Sequence, residues 1–450
     1  MSASGYATSA RAPSTGALIA YSLTAIPLSM AALPIYVHVP KFYADNYGVS
    51  LGLIGILLLF ARIFDAIQDP LLGAWSDNAQ RRKEQNTGSE FGRYIYVIGG
   101  APLLAAAMIG LFNPPQLAEN ALNTWFFSML VLVYTAFSMV QISYQAYAID
   151  LADDVNQRTR ITAYREGLGL LGVFIAAALP QILSDASDAK TGFAQYSFIF
   201  APTLLLAVVV TVFASPPALH RAAQITHTTV STWHSMWAPL QNKRFRKLLI
   251  IFIVNGIAAS IPATLVLFFI DHVLRTPQHT AALLCAYFAA GAAGMPLWIA
   301  LSKRYGKTRS WLLGMAVSIA AFVWAFMLGE GDVWGFAIIC ILSGLGLGAD
   351  LAIPPALVAD VIDDDIAKGL APADGAYLGL WNLCSKMNLA IAAFIALTAV
   401  EYFGLKTGTA GVLVSQTPQA LMALAVTYAL IPCVLKAASV WLLWRAKFKN

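Results

Sequence analysis

The chain has 450 residues, of which 59% are hydrophobic and only 11% are charged, with a formal net charge of +5. This composition excludes an ordinary soluble domain, in which about a quarter of the residues are charged. Because a spanning helix needs roughly 20 apolar residues and such runs recur along the whole chain, the sequence predicts a multi-pass membrane protein.

The predicted fold class is an all-α membrane protein with twelve transmembrane helices. The first apolar run is longer than a signal-peptide core and no small-residue cleavage site follows it, so we expect it to be retained. In chain order, the predicted spans are 16–38, 49–74, 94–113, 124–148, 165–184, 196–215, 248–270, 280–302, 310–329, 333–357, 375–400 and 418–444.

Basic residues are distributed unevenly between the predicted loops. Twenty-one Lys and Arg residues fall on the side of the two termini and four on the other side, with three inside spans. Since basic loops stay preferentially in the cytoplasm, both termini are predicted to be cytoplasmic, in a plasma membrane that we expect to be a bacterial inner membrane. This topology accounts for the net charge without a nucleic-acid partner. The four cysteines lie inside spans and lack metal-ligand spacing.

A repeat divides the chain into two halves. "AYAIDLADD" (146–154), after the fourth span, matches "ALVADVIDD" (356–364), after the tenth, with a constant offset of 210. The predicted fold is therefore two pseudo-symmetric six-helix bundles. The domain boundaries that we predict are an N-terminal tail at 1–15, a bundle at 16–215, a central cytoplasmic loop at 216–247, a bundle at 248–444 and a C-terminal tail at 445–450.

The central loop holds Trp233 and Trp237 beside a basic cluster. This composition fits a helix that lies on an anionic membrane surface, and it fits a solvated linker equally well.

Three charged residues stand inside the second span. Arg62, Asp65 and Asp69 are three and four residues apart and share one helical face near the bilayer midplane. Charge at that depth normally faces a water-filled cavity and marks an ion or substrate path. A proton, a bound cation or Arg62 must compensate the two acids. We hypothesise a monovalent-cation or proton site at Asp65 and Asp69. The alternative is that the three charged residues only stabilise helix packing and that no ion or solute passes them.

The stretch "ARIFDAIQDPLLGAWSD" (61–77) closely resembles the second-span signature of the glycoside-pentoside-hexuronide:cation symporters, the melibiose-carrier branch of the major facilitator superfamily. The loop patterns "GAWSDNAQRR" (73–82), "AIDLADDVNQRTRITAYR" (148–165) and "LVADVIDDD" (357–365) and the eleventh-span segment "WNLCSKMNLA" (381–390) are similar to features of the same family.

The resemblance implies the major facilitator fold and a site for a coupling ion, Na⁺ or H⁺, with no other cofactor. Asp65 and Asp69 would bind the cation, as metal ligands if it is Na⁺, with Gln68 and Ser138 contributing and Lys386 close by. The aspartates that hold sugar in the family correspond here to Ser29 and Gln141. The substrate is therefore left open between sugars and sugar-like solutes.

Polar residues in the predicted spans are the candidates for substrate binding. Asp350 is a further candidate, either as a partner of Lys386 across the cavity or as a plain ion pair. The full predicted set is Tyr21, Ser29, Arg62, Gln141, Tyr144, Gln145, Asn255, Asp350, Trp381, Asn382 and Lys386.

Charged loop residues on the cytoplasmic side are predicted to form ion pairs that break as a gate opens, with Lys368 as a further partner. The predicted gating residues are Gly73, Asp77, Arg81, Asp150, Asp154, Arg158, Arg165, Asp360 and Asp364.

These features predict a monomeric secondary active transporter that couples a monovalent cation to the movement of a small organic solute by alternating access, with the lipid bilayer as its surroundings. Two alternatives keep the fold: a symporter of lysolipids or other amphipathic solutes, and a proton-driven exporter. Two alternatives come from different classes of protein. An enzyme is not supported, because the sequence shows no nucleophile–base cluster or metal motif, and a membrane sensor would normally add a soluble output domain, whereas the predicted tails are short.

Overall fold

A computed structural model describes residues 14–87, 92, 94–151, 155–184, 189–215, 237–368, 374–407 and 415–446. All regular structure among these residues is helical. Twelve of the helices are long and apolar enough to cross a membrane, so the described part of the chain confirms the predicted number of spans.

We number the membrane helices α1 to α12 in chain order. Their bounds are Thr15–Tyr47, Leu51–Gln80, Tyr94–Phe112, Glu119–Ala148, Arg160–Leu183, Lys190–Ala214, Lys243–Leu274, Pro277–Tyr305, Lys307–Ala325, Val333–Ala367, Gly375–Tyr402 and Pro418–Ala446.

Several helices are longer than predicted. Helix α1 continues past residue 38 to Tyr47, through a π-helical turn at Pro34–His38. A single wide turn of this kind lets a helix absorb a residue that cannot donate a backbone hydrogen bond. Helix α7 begins at Lys243, five residues before the predicted start, because the side chain of Asn242 caps its first turn.

The central loop is only partly described. Residues 216–236, which include Trp233, lie outside the described residues. The following segment Ala238–Gln241 is a short 3₁₀ helix, so the prediction of a surface helix is not tested over most of its length.

Among the described residues, the first six and the last six helices pack together chiefly along three pairs. Helix α2 packs against α11, α5 against α8, and α1 against α7. Within the last six helices, glycines let α10 approach its neighbours closely. A Cβ added at Gly344 would collide with the carbonyl oxygen of Tyr287 on α8, and one at Gly348 would lie 2.7 Å from the carbonyl oxygen of Gly291. These glycines fix the packing of α10 rather than a bend in it.

The two ends of the bundle differ in charge. The end at which α1 begins carries Lys243, Arg244 and Lys307, and we call it the basic end. The opposite end carries the last turns of α1 and the first turns of α2, and we call it the Lys41 end after its best-buried lysine. By the positive-inside rule, the basic end is the one expected to face the cytoplasm.

Candidate cation and substrate site

Helix α2 separates its charged and apolar residues onto opposite faces. Asp65 and Arg62 are buried, while the residues about half a turn away around the helix are exposed and apolar. The charged face therefore points into the protein and the other face fits lipid. The exposed apolar stripe consists of Phe60, Phe64, Ile67, Leu71 and Trp75.

Lys386 on α11 lies between the two acids of α2. Its Nζ donates to Asp65 Oδ2 at 2.8 Å and to Asp69 Oδ2 at 2.5 Å. The resemblance implied that this lysine would be close to the acids, and the structure places a positive charge directly on both of them. Because α2 and α11 belong to different halves, the contact also ties the halves together.

Arg62 is committed to a different set of contacts. Its guanidinium donates to Asp65 Oδ2 at 3.0 Å and lies over the ring of Tyr134 at 3.9 Å and over that of Tyr36 at 4.9 Å. An arginine with a carboxylate partner and two aromatic faces is held firmly in a low-dielectric site. Asp65 therefore shares its charge between Arg62 and Lys386.

Neutral oxygens complete the surroundings of the acids. Ser138 Oγ donates to Asp65 Oδ1 at 2.9 Å, and the Gln68 amide lies 3.5 Å from the same oxygen. Thr135 donates to Gln68 Oε1 at 3.0 Å, which orients the amide. Among the described residues, the buried Asp69 Oδ1 has no hydrogen-bond partner. Carboxylate, amide and hydroxyl oxygens are the ligands that hard cations prefer, so this set fits Na⁺ or a proton.

The charged residues of the site differ in exposure. The side chains of Asp69 and Lys386 are each 24% exposed, whereas that of Asp65 is 1% exposed. Of the predicted substrate residues, Gln145 and Asn382 are exposed and Gln141 is half-buried. Asp69 and Lys386 are therefore more accessible than Asp65.

Three other predicted substrate residues make contacts between helices of the first half. Tyr21 and Tyr144 are fully buried with stacked rings, and each hydroxyl donates to the backbone oxygen of the other residue, at 2.7 and 3.1 Å. Ser29 packs against Gly169 on α5. These three residues join helices of the first half, which corrects the expectation that they line an open cavity.

Asp350 and Asn255 belong to a second buried cluster. Asp350 Oδ2 accepts from Lys436 Nζ at 2.8 Å, and Oδ1 accepts from Asn255 at 3.0 Å and from Trp311 at 2.7 Å. The structure therefore pairs Asp350 with Lys436 instead of Lys386. All four residues lie in the last six helices.

Trp381, the remaining predicted aromatic, stacks on Phe252 with ring centroids 3.6 Å apart. It is buried, and the stack joins α11 to α7 within the last six helices.

The predicted gating pairs take a different form. Asp360 binds Lys307 at 2.6 Å and Asp364 binds Arg244, so both pairs lie within the last six helices. Arg165 binds the adjacent Glu166 at 2.8 Å. Asp360, Asp364 and Arg165 therefore have partners other than those predicted, whereas Lys368 lies 3.5 Å from Asp365, an acid of the same group.

Of the other predicted gating residues, the structure describes the surroundings of Gly73. Gly73 packs against Ile142 on α4. Asp154 lies outside the described residues, as do the side chains of Asp77, Arg81, Asp150 and Arg158.

Sequence reasoning missed the links that close the Lys41 end. Lys41 on α1 binds Asp271 on α7, and the backbone nitrogen of Gly52 on α2 donates to Glu401 on α11 at 2.6 Å. Gln181 on α5 accepts from the backbone nitrogen of Ala281 on α8 at 2.9 Å. Each of the three helix pairs that join the halves thus has a polar link at this end, while the ion pairs of Asp360 and Asp364 at the basic end stay within one half.

The fold and the charged interface define a membrane transporter of the major facilitator type, not an enzyme. The model of the family described as MFS/sugar transport protein matches residues 18–450, so the chain belongs to that family.

Two curated relatives are similar over most of their length. The isoprimeverose transporter of Lactiplantibacillus pentosus is 21% identical over 92% of this chain and 85% of its own, and the glucuronide carrier protein homolog of Escherichia coli strain K12 is 20% identical over 95% and 91%. The crystal structure of the nucleoside transporter NupG matches with a TM-score of 0.63 at 14% identity, over 96% of this chain and 98% of that one, which supports the fold alone.

Proposed function

We propose that the protein is a secondary active transporter in which Na⁺ or H⁺ at Asp65 and Asp69 drives the movement of a small sugar-like solute. The observation that carries the proposal is the Lys386 ammonium, held at 2.8 and 2.5 Å between two carboxylates of the other half. A place that already holds one cation can hold another in exchange.

The exchange supplies the coupling. The coupling ion and Lys386 compete for the same carboxylates, and Asp69 Oδ1 is an oxygen that the ion can use without displacing a hydrogen bond. When Lys386 is displaced, its ionic link between α2 and α11 is lost, which favours movement of the halves. A ligand shifts a conformational equilibrium only through different affinities for the two states, and this competition provides such a difference.

The conformation in the structure fits one stage of alternating access. The Lys41 end is held by links between α1 and α7, α2 and α11, and α5 and α8. With the basic end in the cytoplasm, as the distribution of Lys and Arg predicts, this state is closed to the outside. The bodies that move would be residues 16–215 and 248–444, connected by the loop 216–247, in a bacterial inner membrane.

The proposed substrate class is supported by the names of the relatives and by two exposed polar side chains. The relatives are named for isoprimeverose and for glucuronide, both of them sugar compounds. The exposed amides of Gln145 on α4 and Asn382 on α11, the helices that also carry Ser138 and Lys386, offer hydrogen-bond donors and acceptors to a polar solute.

Ion binding to the purified protein tests the proposal directly. Thermal unfolding is followed in detergent while Na⁺ replaces K⁺ at constant ionic strength, and again across a range of pH. We expect one of the two ions to stabilise the unaltered protein and Asp69→Asn to abolish that effect. The matched control is Glu330→Gln, which removes a carboxylate from an exposed ion pair with Arg275. An unchanged ion response in Asp69→Asn would overturn the proposal.

Uptake into proteoliposomes tests the solute. Neutral glycosides, hexuronates and lysophosphatidylcholine are compared as competitors of ion-coupled uptake. Competition by the sugar derivatives supports the proposal, and competition by the lysophospholipid alone would favour an amphipathic solute instead.

A further inference from the structure

Two helix starts at the Lys41 end each receive a side chain from the other half. The second residue of α2 is Gly52, and its backbone nitrogen donates to Glu401 Oε2 at 2.6 Å. The second residue of the α-helical part of α8 is Ala281, and its backbone nitrogen donates to Gln181 Oε1 at 2.9 Å. The first four backbone nitrogens of an α-helix have no partner within the helix, so each of these contacts is a helix cap.

The two caps occupy equivalent places in the repeat. Helices α2 and α8 are the second helices of their halves, and α5 and α11 are the fifth. Gln181 lies two residues before the last residue of α5, and Glu401 lies one residue before the last of α11. Each half therefore caps the second helix of the other half from the last turn of its own fifth helix, as a two-fold relation between the halves requires.

The two helix starts differ in what else supports them. In the described structure, His279 stands at the N-cap position of α8 without capping it. Gln181 also donates to the backbone oxygen of Pro277 at 2.7 Å, so one amide binds both a donor and an acceptor of that helix start. In α2, the hydroxyl of Ser50 caps the third residue, and Glu401 adds a carboxylate, whose negative charge is favourable at a helix N-terminus.

The lack of a side chain at Gly52 suits the closed conformation. Gly52 is buried, and a Cβ there would overlap Glu401 Oε2 and lie 3.9 Å from Thr398 Oγ1. One turn further along, a Cβ at Gly55 would lie 3.1 Å from the Cα of Phe394 on α11. An alanine at position 52 would push the carboxylate off the backbone nitrogen. Once α11 has moved away from the start of α2, the same alanine meets no such obstacle.

We propose that Glu401 and Gln181 are gate residues, each of which caps a helix of the opposite half while the Lys41 end is closed and leaves that backbone nitrogen to water when it opens. The caps favour the closed conformation because a side-chain cap stabilises a helix start more than water does. Gly52 precedes Asp65 by thirteen residues, or about 20 Å along α2, so the gate acts whichever ion drives transport.

Spin labels at Leu117 and Arg275, both exposed and on different halves, measure the ratio of open to closed molecules. The full-length protein is placed in lipid nanodiscs at constant pH without Na⁺ or added solute. Glu401→Ala and Gln181→Ala are each expected to raise the ratio about two- to thirty-fold, the range that corresponds to the loss of a side-chain cap. The double variant should show the product of the two changes, because the caps join different helix pairs.

Matched variants separate the gate from helix stability. Gly52→Ala displaces Glu401 and is expected to raise the same ratio, whereas Gly379→Ala in α11, where a Cβ meets nothing within 4 Å, should leave it unchanged. Thr417 caps the backbone nitrogen of Ala420 at 3.2 Å, and both residues belong to the second half. Thr417→Ala is therefore expected to lower the melting temperature without changing the ratio of open to closed molecules.

The conservative variant Glu401→Gln keeps an acceptor for the Gly52 nitrogen and should shift the ratio less than Glu401→Ala, a grading that misfolding alone does not produce. An unchanged ratio in both Glu401→Ala and Gln181→Ala, or an equal shift in Thr417→Ala, would overturn the gate. Because neither ion nor solute is present, that result leaves the proposed ion coupling standing, and a failure of ion coupling leaves the gate standing.

Discussion

The ammonium of Lys41 lies 2.7 Å from the carboxylate of Asp271 and joins α1 to α7 across the two halves. Lys41 also binds Asp45 one turn further along its own helix. Both carboxylates are mostly buried, but only Asp271 belongs to the other half. The pair is thus the ionic part of the closure at the Lys41 end, which Gly52 and Gln181 complete with neutral donors and acceptors.

Removing the charge of Asp271 is expected to open the Lys41 end. In Asp271→Asn the closed state loses about 1 kcal/mol, because the pair is partly screened, and the ratio of open to closed molecules rises about five-fold. Spin labels at Leu117 and Arg275, both exposed and on different halves, report the change as a longer distance population.

Asp45→Asn is the control for this prediction. It removes the other carboxylate from Lys41 and leaves the link between the halves intact. An equal shift in Asp45→Asn and Asp271→Asn would show that the charge of Lys41, and not its contact with α7, controls the closure.

The two acids of α2 are expected to differ in their effect on stability. Asp65 is 1% exposed and compensates the buried Arg62, so Asp65→Asn leaves a buried charge poorly paired and costs about 3–5 kcal/mol. Asp69 is 24% exposed and binds Lys386, whose side chain is also 24% exposed. Asp69→Asn therefore changes ion binding with little loss of stability, and thermal unfolding of the two variants in the same detergent measures the difference. Equal melting temperatures would contradict this division of roles.

Much of the architecture could be predicted because it depends on patterns within single segments. The twelve apolar runs follow from length and hydropathy, and the shared face of Arg62, Asp65 and Asp69 follows from their spacing on one helix. The proximity of Lys386 came only from the family resemblance. No local pattern indicates that a lysine more than three hundred positions away along the chain will meet these acids.

The errors in prediction share one physical cause, which is the choice of partners between helices. Asp350 and Lys436 are both intramembrane charges in the sequence, but only the tertiary arrangement of α10 and α12 brings them together. Likewise, the predicted first span ends at residue 38 and leaves Lys41 outside it. Pairing with Asp45 and Asp271 offsets the cost of burying Lys41 in a helix that continues to Tyr47.

The Asp350–Lys436 pair is expected to act on folding rather than on transport. Lys436→Met leaves Asp350 buried with only neutral partners and should cost about 3–5 kcal/mol, whereas the double variant Asp350→Asn with Lys436→Met removes both charges and should recover most of the stability. Thermal unfolding of the single and double variants forms a double-mutant cycle. Uptake per folded molecule in the double variant should match the unaltered protein, and a lost ion response there would assign the pair to coupling instead.

Gly344 is expected to be intolerant of any side chain. Its Cβ would meet the backbone oxygen of Tyr287 and the side chain of Ala290 on α8, and because backbone cannot rotate away, the two helices must separate. Gly344→Ala should therefore cost about 1–3 kcal/mol through overpacking. Gly99→Ala in α3 is the matched control, since an added Cβ there meets nothing within 4 Å. In an open helical position, alanine gains up to about 1 kcal/mol over glycine, so the control should be as stable as the unaltered protein or more so. The melting temperature and the monodisperse yield of both variants measure the contrast, and equal values for Gly344→Ala and Gly99→Ala would mean that α8 and α10 do not pack as closely as the structure shows.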